Sequence, residues 1–130
     1  MSTKGRKILI ADDHDTFRSV LSHTLRFSKY QVVEARSGRE CLELARKEKP
    51  DLILLDIAMP GMSGHETYQL LRENPETKDI PIVILTALKD QDAEKEVIEA
   101  KVEGYLRKPC DLSELERCIE SRLQGNNINH

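Results

Sequence analysis

Asp51-Leu52-Ile53-Leu54-Leu55-Asp56 follows Pro50 and carries four apolar side chains in succession. A strand with one wet face alternates apolar and polar residues, so an unbroken run reads as a central strand covered on both faces, here over residues 51–55. Ile82-Val83-Ile84-Leu85, opened by Pro81, reads the same way. Working outward, residues 7–11 and 31–35 are strands and Tyr105-Leu106 is a short one. Between them the apolar spacing turns helical. Phe17, Val20, Leu21 and Leu25 place an inward face on a helix over 15–27. Ser37-Gly38 opens a helix carrying Cys41, Leu42, Leu44 and Ala45, which charged residues and Pro50 close. The turn-rich Met59-Pro60-Gly61-Met62-Ser63-Gly64 leads into a helix to about residue 73. Residues 90–101, with Ala93, Val97 and Ala100 inward, and 112–124 complete the helices. Five strand-helix units in strict alternation predict an α/β fold with a parallel sheet.

The chain has 130 residues, room for one sizeable core, so a single domain is expected over 1–124 with a polar, frayed tail at 125–130. Lys and Arg number 20 against 23 Asp and Glu, a net charge of −3 that offers no electrostatic footprint for nucleic acid. The apolar runs are far shorter than the roughly 20 residues of a membrane span, and the N-terminus carries no signal-peptide pattern. Cys41, Cys110 and Cys118 form an odd set without metal-ligand spacing, which argues against a disulfide framework and fits a reducing cytoplasm. They read as small hydrophobes or incidental thiols.

Right-handed crossovers bring the C-terminal ends of all parallel strands to one edge, where a ligand crevice forms. At those ends stand Asp12-Asp13, Asp56, Thr86-Ala87 and Lys108-Pro109. Three carboxylates in one place repel unless protons or a cation separate them, and hard oxygen donors suit Mg²⁺. An ammonium and a hydroxyl beside them can hold phosphate oxygens. Acids, metal, hydroxyl and ammonium together describe a phosphoryl-transfer site.

With Arg18, the turn at 59–64 and Tyr105-Leu106-Arg107, these motifs make the chain similar to the receiver domains of two-component response regulators, over about residues 7–124. The likeness is strongest to the stand-alone, chemotaxis-regulator type. The resemblance implies a flavodoxin-like, doubly wound sheet of strand order 2-1-3-4-5. It makes Asp56 the phosphoacceptor, with Mg²⁺ held by Asp13, Asp56 and the backbone carbonyl of Ala58, and with Asp12 acting largely through water. Lys108 grips the phosphate, Thr86 is the switch hydroxyl, and Tyr105 is the aromatic that turns inward. The implied partners are a histidine kinase or histidine phosphotransfer protein as donor, and a target protein docking on the exposed parts of 90–101, 105–108 and 112–124. A monomer or weak dimer is expected, and a signalling phosphoprotein with slow self-catalysed phosphorylation and dephosphorylation, not a turnover enzyme. Two positions depart from the family pattern: Ala100-Lys101-Val102 replaces a small Ala-Gly-Ala turn, and Cys110 stands where an aromatic is usual.

Other readings fit less well. A phosphatase of the haloacid dehalogenase type wants a second acid two residues after the nucleophile, where this chain has Ala58. A flavin-phosphate loop after the first strand would meet repulsion from Asp12-Asp13. The complete acid trio and Lys108 count against a pure docking module. His14, beside the acids, reads as a solvated helix-start residue because Mg²⁺ prefers oxygen. His23, His65 and His130 share no spacing.

Overall fold

A computed structural model describes residues 5–57, 59, 62–86, 104–107 and 111–128. The elements are β1 (Lys7–Ala11), α1 (Asp15–Phe27), β2 (Gln31–Ala35), α2 (Gly38–Glu48), β3 (Leu52–Asp56), α3 (Gly64–Glu73), β4 (Ile82–Thr86), β5 (Gly104–Arg107) and α4 (Leu112–Ile128). The five strands form one parallel sheet of order β2-β1-β3-β4-β5. The expected α/β architecture and strand order are therefore present. The helix expected over 90–101, the 100–102 turn and Cys110 lie outside the described residues.

The unbroken apolar run of β3 is explained by two separate cores. Ile53 and Leu55 pack with Leu9, Ile82 and Ile84 under α2 and α3, against Cys41, Ala45, Tyr68 and Leu71. Leu52 and Leu54 point the other way and pack with Ile8, Ile10, Val83 and Leu85 under α1 and α4, against Leu21, Leu25, Leu115 and Ile119. Alternate side chains of a strand leave opposite faces, so a strand between two helical layers must be apolar at every position.

Local chemistry sets the helix ends. Ser37 Oγ accepts the Glu40 N–H at 3.1 Å and Ser63 Oγ accepts the Glu66 N–H at 3.1 Å, each satisfying a first-turn donor. At the end of α2, Lys49 adopts the left-handed conformation (φ 49°) and donates its N–H to the Ala45 carbonyl, and Pro50 follows. Two details differ from the sequence reading. Val20, expected on the inward face of α1, is 61% exposed, so the inward stripe of that helix is narrower than its apolar spacing. The last helix runs to Ile128, four residues past the expected end, through Gly125.

Cys41, expected to act as a small hydrophobe, is fully buried and free. Burial pushes its thiol up to about 12. The unfolded chain ionises this thiol from about pH 8.5, whereas the folded chain keeps its proton until about 12. Between those values the unfolded state binds fewer protons, so the contribution is intact below the lower one and is lost as pH rises. The stability advantage of wild type over Cys41→Ala should thus shrink by up to about 1.4 kcal/mol per pH unit above pH 9. Urea unfolding of both proteins at pH 8 and pH 10 checks this, and a constant difference would mean that the thiol meets water. Cys118 is half-buried and free, and burial raises its thiol too, partly opposed by Arg122.

Candidate functional site

The C-terminal ends of β1 and β3 lie side by side, because Ala11 pairs with Leu55 in the register. Asp56 is therefore delivered next to the Asp12-Asp13 pair that follows Ala11. Asp12 and Asp56 are 1% and 2% exposed, which places two carboxylates at the end of the central strands where water reaches them poorly. One donor atom from each of Asp12, Asp13, His14 and Asp56 lies within 4.8 Å of the others. Two like charges at about 4 Å repel by about 4 kcal/mol at an effective dielectric near 20. A trio at such spacing calls for a cation.

The loop holding the acids is braced from within. Asp12 Oδ1 accepts the His14 N–H at 2.8 Å, curling the chain into α1. Arg18 is 5% exposed and donates from Nη1 to the Asp12 carbonyl at 2.8 Å, from Nε to Glu34 Oε1 at 3.0 Å and from Nη2 to Asp15 Oδ1 at 2.6 Å. Burial works against the Arg18 charge, but Asp15 and Glu34 outweigh it and raise its pKa. The Arg18 hydrogen bond and charge hold the exposed Asp15 carboxyl below its usual range. One guanidinium thus ties β2 and α1 to the backbone beneath the acidic pair.

Asp13 differs from its neighbours. Its Oδ1 is buried and has no hydrogen-bond partner, although His14 Nδ1 stands 3.5 Å away. At 3.5 Å the ring nitrogen is near this oxygen without forming a hydrogen bond to it. A buried carboxylate oxygen left without a donor is rare and costly. An orphaned oxygen beside two further carboxylates is what a hard divalent cation requires, so the residues present fit one.

The chain matches the family model "Response regulator receiver domain" over residues 8–120. It belongs to the response regulator receiver domain family. It is 39% identical over 122 residues to Protein PilH of Pseudomonas aeruginosa, covering 92% of this chain and 98% of that protein. It is 31% identical over 118 residues to the polar-differentiation response regulator DivK of Brucella ovis, covering 91% and 96%. The solved structure of chemotaxis protein CheY4 from Vibrio cholerae superposes with a TM-score of 0.82 at 33% identity, covering 89% of this chain and 97% of that one. Receiver domains are two-component signalling proteins that work with histidine kinases and downstream targets, and these relatives consist of little beyond the receiver. The sheet order is that of the flavodoxin-like fold, as the resemblance implies. Among the described residues no helix is long and apolar enough to cross a membrane.

Within this receiver domain, the structure brings together Asp12, Asp13 and Asp56 of the expected site. Thr86 closes β4, one step beyond the Leu85 that pairs with Asp56, and Tyr105 pairs with Ile84 in β5. Those are backbone placements; the two side chains, Ala58 and Lys108 lie outside the described residues. The sequence reading set His14 aside as solvated. Its ring is indeed 64% exposed, yet Nδ1 lies 3.3 Å from Asp12 Oδ1 and 3.5 Å from Asp13 Oδ1. The Arg18 clamp was legible only in part, as an Asp15–Arg18 pair at i,i+3. Its third arm, to Glu34, crosses from α1 to β2 and has no local signal.

Proposed function

We propose that Asp56 accepts a phosphoryl group from a phosphohistidine of a histidine kinase or histidine phosphotransfer protein, with Mg²⁺ in the acidic pocket. The observation that carries this reading is the clustering of Asp12, Asp13 and Asp56 around the orphaned Asp13 oxygen. Asp13 and Asp56, with the Ala58 carbonyl, would hold the ion directly, and Asp12 through water. Bound there, Mg²⁺ neutralises the carboxylates and the phosphoryl oxygens. Asp56 attacks phosphorus in line: the P–N bond to the donor histidine breaks as a P–O bond to Asp56 forms. The burial of Asp56 keeps bulk water from competing for the phosphoryl group. Lys108 is assigned to the phosphate oxygens, where an ammonium offsets their charge.

The same reading assigns the output switch to Thr86 and Tyr105, and the target-binding face to the exposed parts of 90–101, 105–108 and 112–124. It is supported by the position of Thr86 at the end of the strand beside β3, within a short chain segment of the acidic pocket. A phosphate that draws the Thr86 hydroxyl favours one of two arrangements of the neighbouring strand and helix. Incubation with acetyl phosphate, followed by intact-mass measurement and amide spectra, tests the whole reading. One added phosphoryl group is expected with Mg²⁺ and none without it, accompanied by shifts in β5 and α4. No mass gain under any condition would overturn the acceptor role.

Because Asp13 adds charge to a pocket already holding two buried acids, Asp13→Asn should relieve repulsion in metal-free buffer. A gain of about 1 kcal/mol, or about 3 °C in Tm, is expected, together with a loss of Mg²⁺ affinity of at least about tenfold. Thermal melts with and without Mg²⁺ measure both. A fall in the metal-free Tm would show that the carboxylate is structural.

A further inference from the structure

His14 is the N-cap residue of α1, but its side chain makes no capping hydrogen bond. The helix start is organised by Asp12 instead, which accepts the His14 N–H. The imidazole thus takes no part in capping and turns to the acidic pair instead, with Nδ1 hydrogen-bonded to Asp12 Oδ1 at 3.3 Å and 3.5 Å from Asp13 Oδ1. Around an ion with bonds of about 2.1 Å, adjacent octahedral donors are about 3.0 Å apart and opposite ones about 4.2 Å. The ring-to-carboxylate distances match the first separation to within half an ångström. The 4.8 Å limit over all four donor atoms lies slightly beyond the second, before any ion has drawn the oxygens together.

We infer that His14 supplies a nitrogen ligand to the acidic pocket, so that this receiver site takes divalent transition-metal ions that accept imidazole, such as Ni²⁺, Co²⁺ and Zn²⁺, in preference to Mg²⁺. The inference rests on the metal-binding reading of Asp13 and Asp56 proposed above and adds a fourth residue and a selectivity to it. Mg²⁺ gains little from a nitrogen donor, because carboxylates, carbonyls and water are its partners. Ions late in the first transition row bind N/O sites more tightly and favour imidazole. An ion in the pocket would take the place of the proton that Nδ1 shares with Asp12 Oδ1, leaving the ring proton on Nε2 and the Nδ1 lone pair for the metal. The ring is 64% exposed, so it can turn the last few tenths of an ångström without disturbing the core.

Calorimetric titration of the full chain with Ni²⁺ alone and Mg²⁺ alone tests this in wild type, His14→Ala and Asp13→Asn. His14→Ala should weaken Ni²⁺ by at least about tenfold, the lower end of what losing even an outer-sphere partner costs, and leave Mg²⁺ within about twofold. Asp13→Asn should weaken both ions, which separates the pocket from His23, His65 and His130. Zn²⁺ titration followed by the imidazole nitrogen resonances should move Nδ1 of His14. Equal Ni²⁺ affinity in wild type and His14→Ala, or an unmoved His14 resonance, would reduce the ring to a counter-charge and overturn the inference. Wild-type Mg²⁺ binding lost in Asp13→Asn would keep the parent reading intact in that event. Conversely, no Mg²⁺ binding at all, with Ni²⁺ still dependent on His14 and Asp13, would remove the Mg²⁺ reading and support this one.

Discussion

Asp56→Asn is expected to abolish phosphate acceptance: after incubation with acetyl phosphate and Mg²⁺ the wild type gains one phosphoryl group and the variant none. The expectation follows from how the three acids are held. Asp12 Oδ1 is engaged by the His14 N–H in turning the chain, and Asp13 sits in the loop beyond the strand with one oxygen buried. Asp56 alone belongs to a strand, β3, which is flanked on both sides by β1 and β4 and so holds its position without the loop. A nucleophile fixed in this way meets the phosphoryl group at a constant angle and distance, which is where most of the rate comes from when the chemistry itself is simple. Asparagine keeps the shape and removes the nucleophilic charge, so the fold should survive, with an unchanged or slightly raised Tm. A variant that still took up phosphate at the normal rate would move the acceptor to another residue.

Gly64→Ala carries the largest expected loss of stability. Gly64 opens α3 and donates its N–H to the Ile57 carbonyl at 3.0 Å, which folds the chain after β3 back onto the helix start. A β-carbon built on Gly64 overlaps the backbone of Asp56 and Ile57. Backbone at the end of a central strand cannot step aside as a side chain can, so the added methyl forces the strand and helix apart. Such overpacking costs about 3 kcal/mol or slightly more, a fall in Tm of about 10 °C for a domain of this size. Phosphate acceptance should fall as well, because the displaced backbone is that of Asp56. Gly38→Ala is the comparison: its methyl would meet side chains, the buried Thr67 hydroxyl and Met62, rather than backbone, and it should lose less. Urea unfolding of the two variants ranks them, and a Gly64→Ala as stable as wild type would contradict the close approach.

The alternation of strands and helices was legible from local pattern alone. Leu52 to Leu55 announced a strand buried on both faces, and the two cores that cover it contain the alternate residues that such a strand must offer. Asp12, Asp13 and Asp56 could be assigned to one place because a parallel sheet carries every strand end to the same edge. Phe17, Val20, Leu21 and Leu25 were less informative. The helical period names a face, but how much of that face is covered depends on the neighbouring elements, and Val20 stays 61% exposed.

By itself, then, the sequence determined the class of fold, the order of elements along the chain and the acids that stand at strand ends. These are properties of residues near one another, governed by side-chain period and turn chemistry. The tertiary structure alone decided that the Asp13 oxygen has no donor, that the His14 ring leans over the acids, that Arg18 reaches Glu34 across two elements, and that Gly64 has no room for a methyl. Each depends on distances between atoms far apart in the chain or on a side-chain direction. Such distances follow from the packing of whole layers at close to crystalline density, which no local pattern encodes.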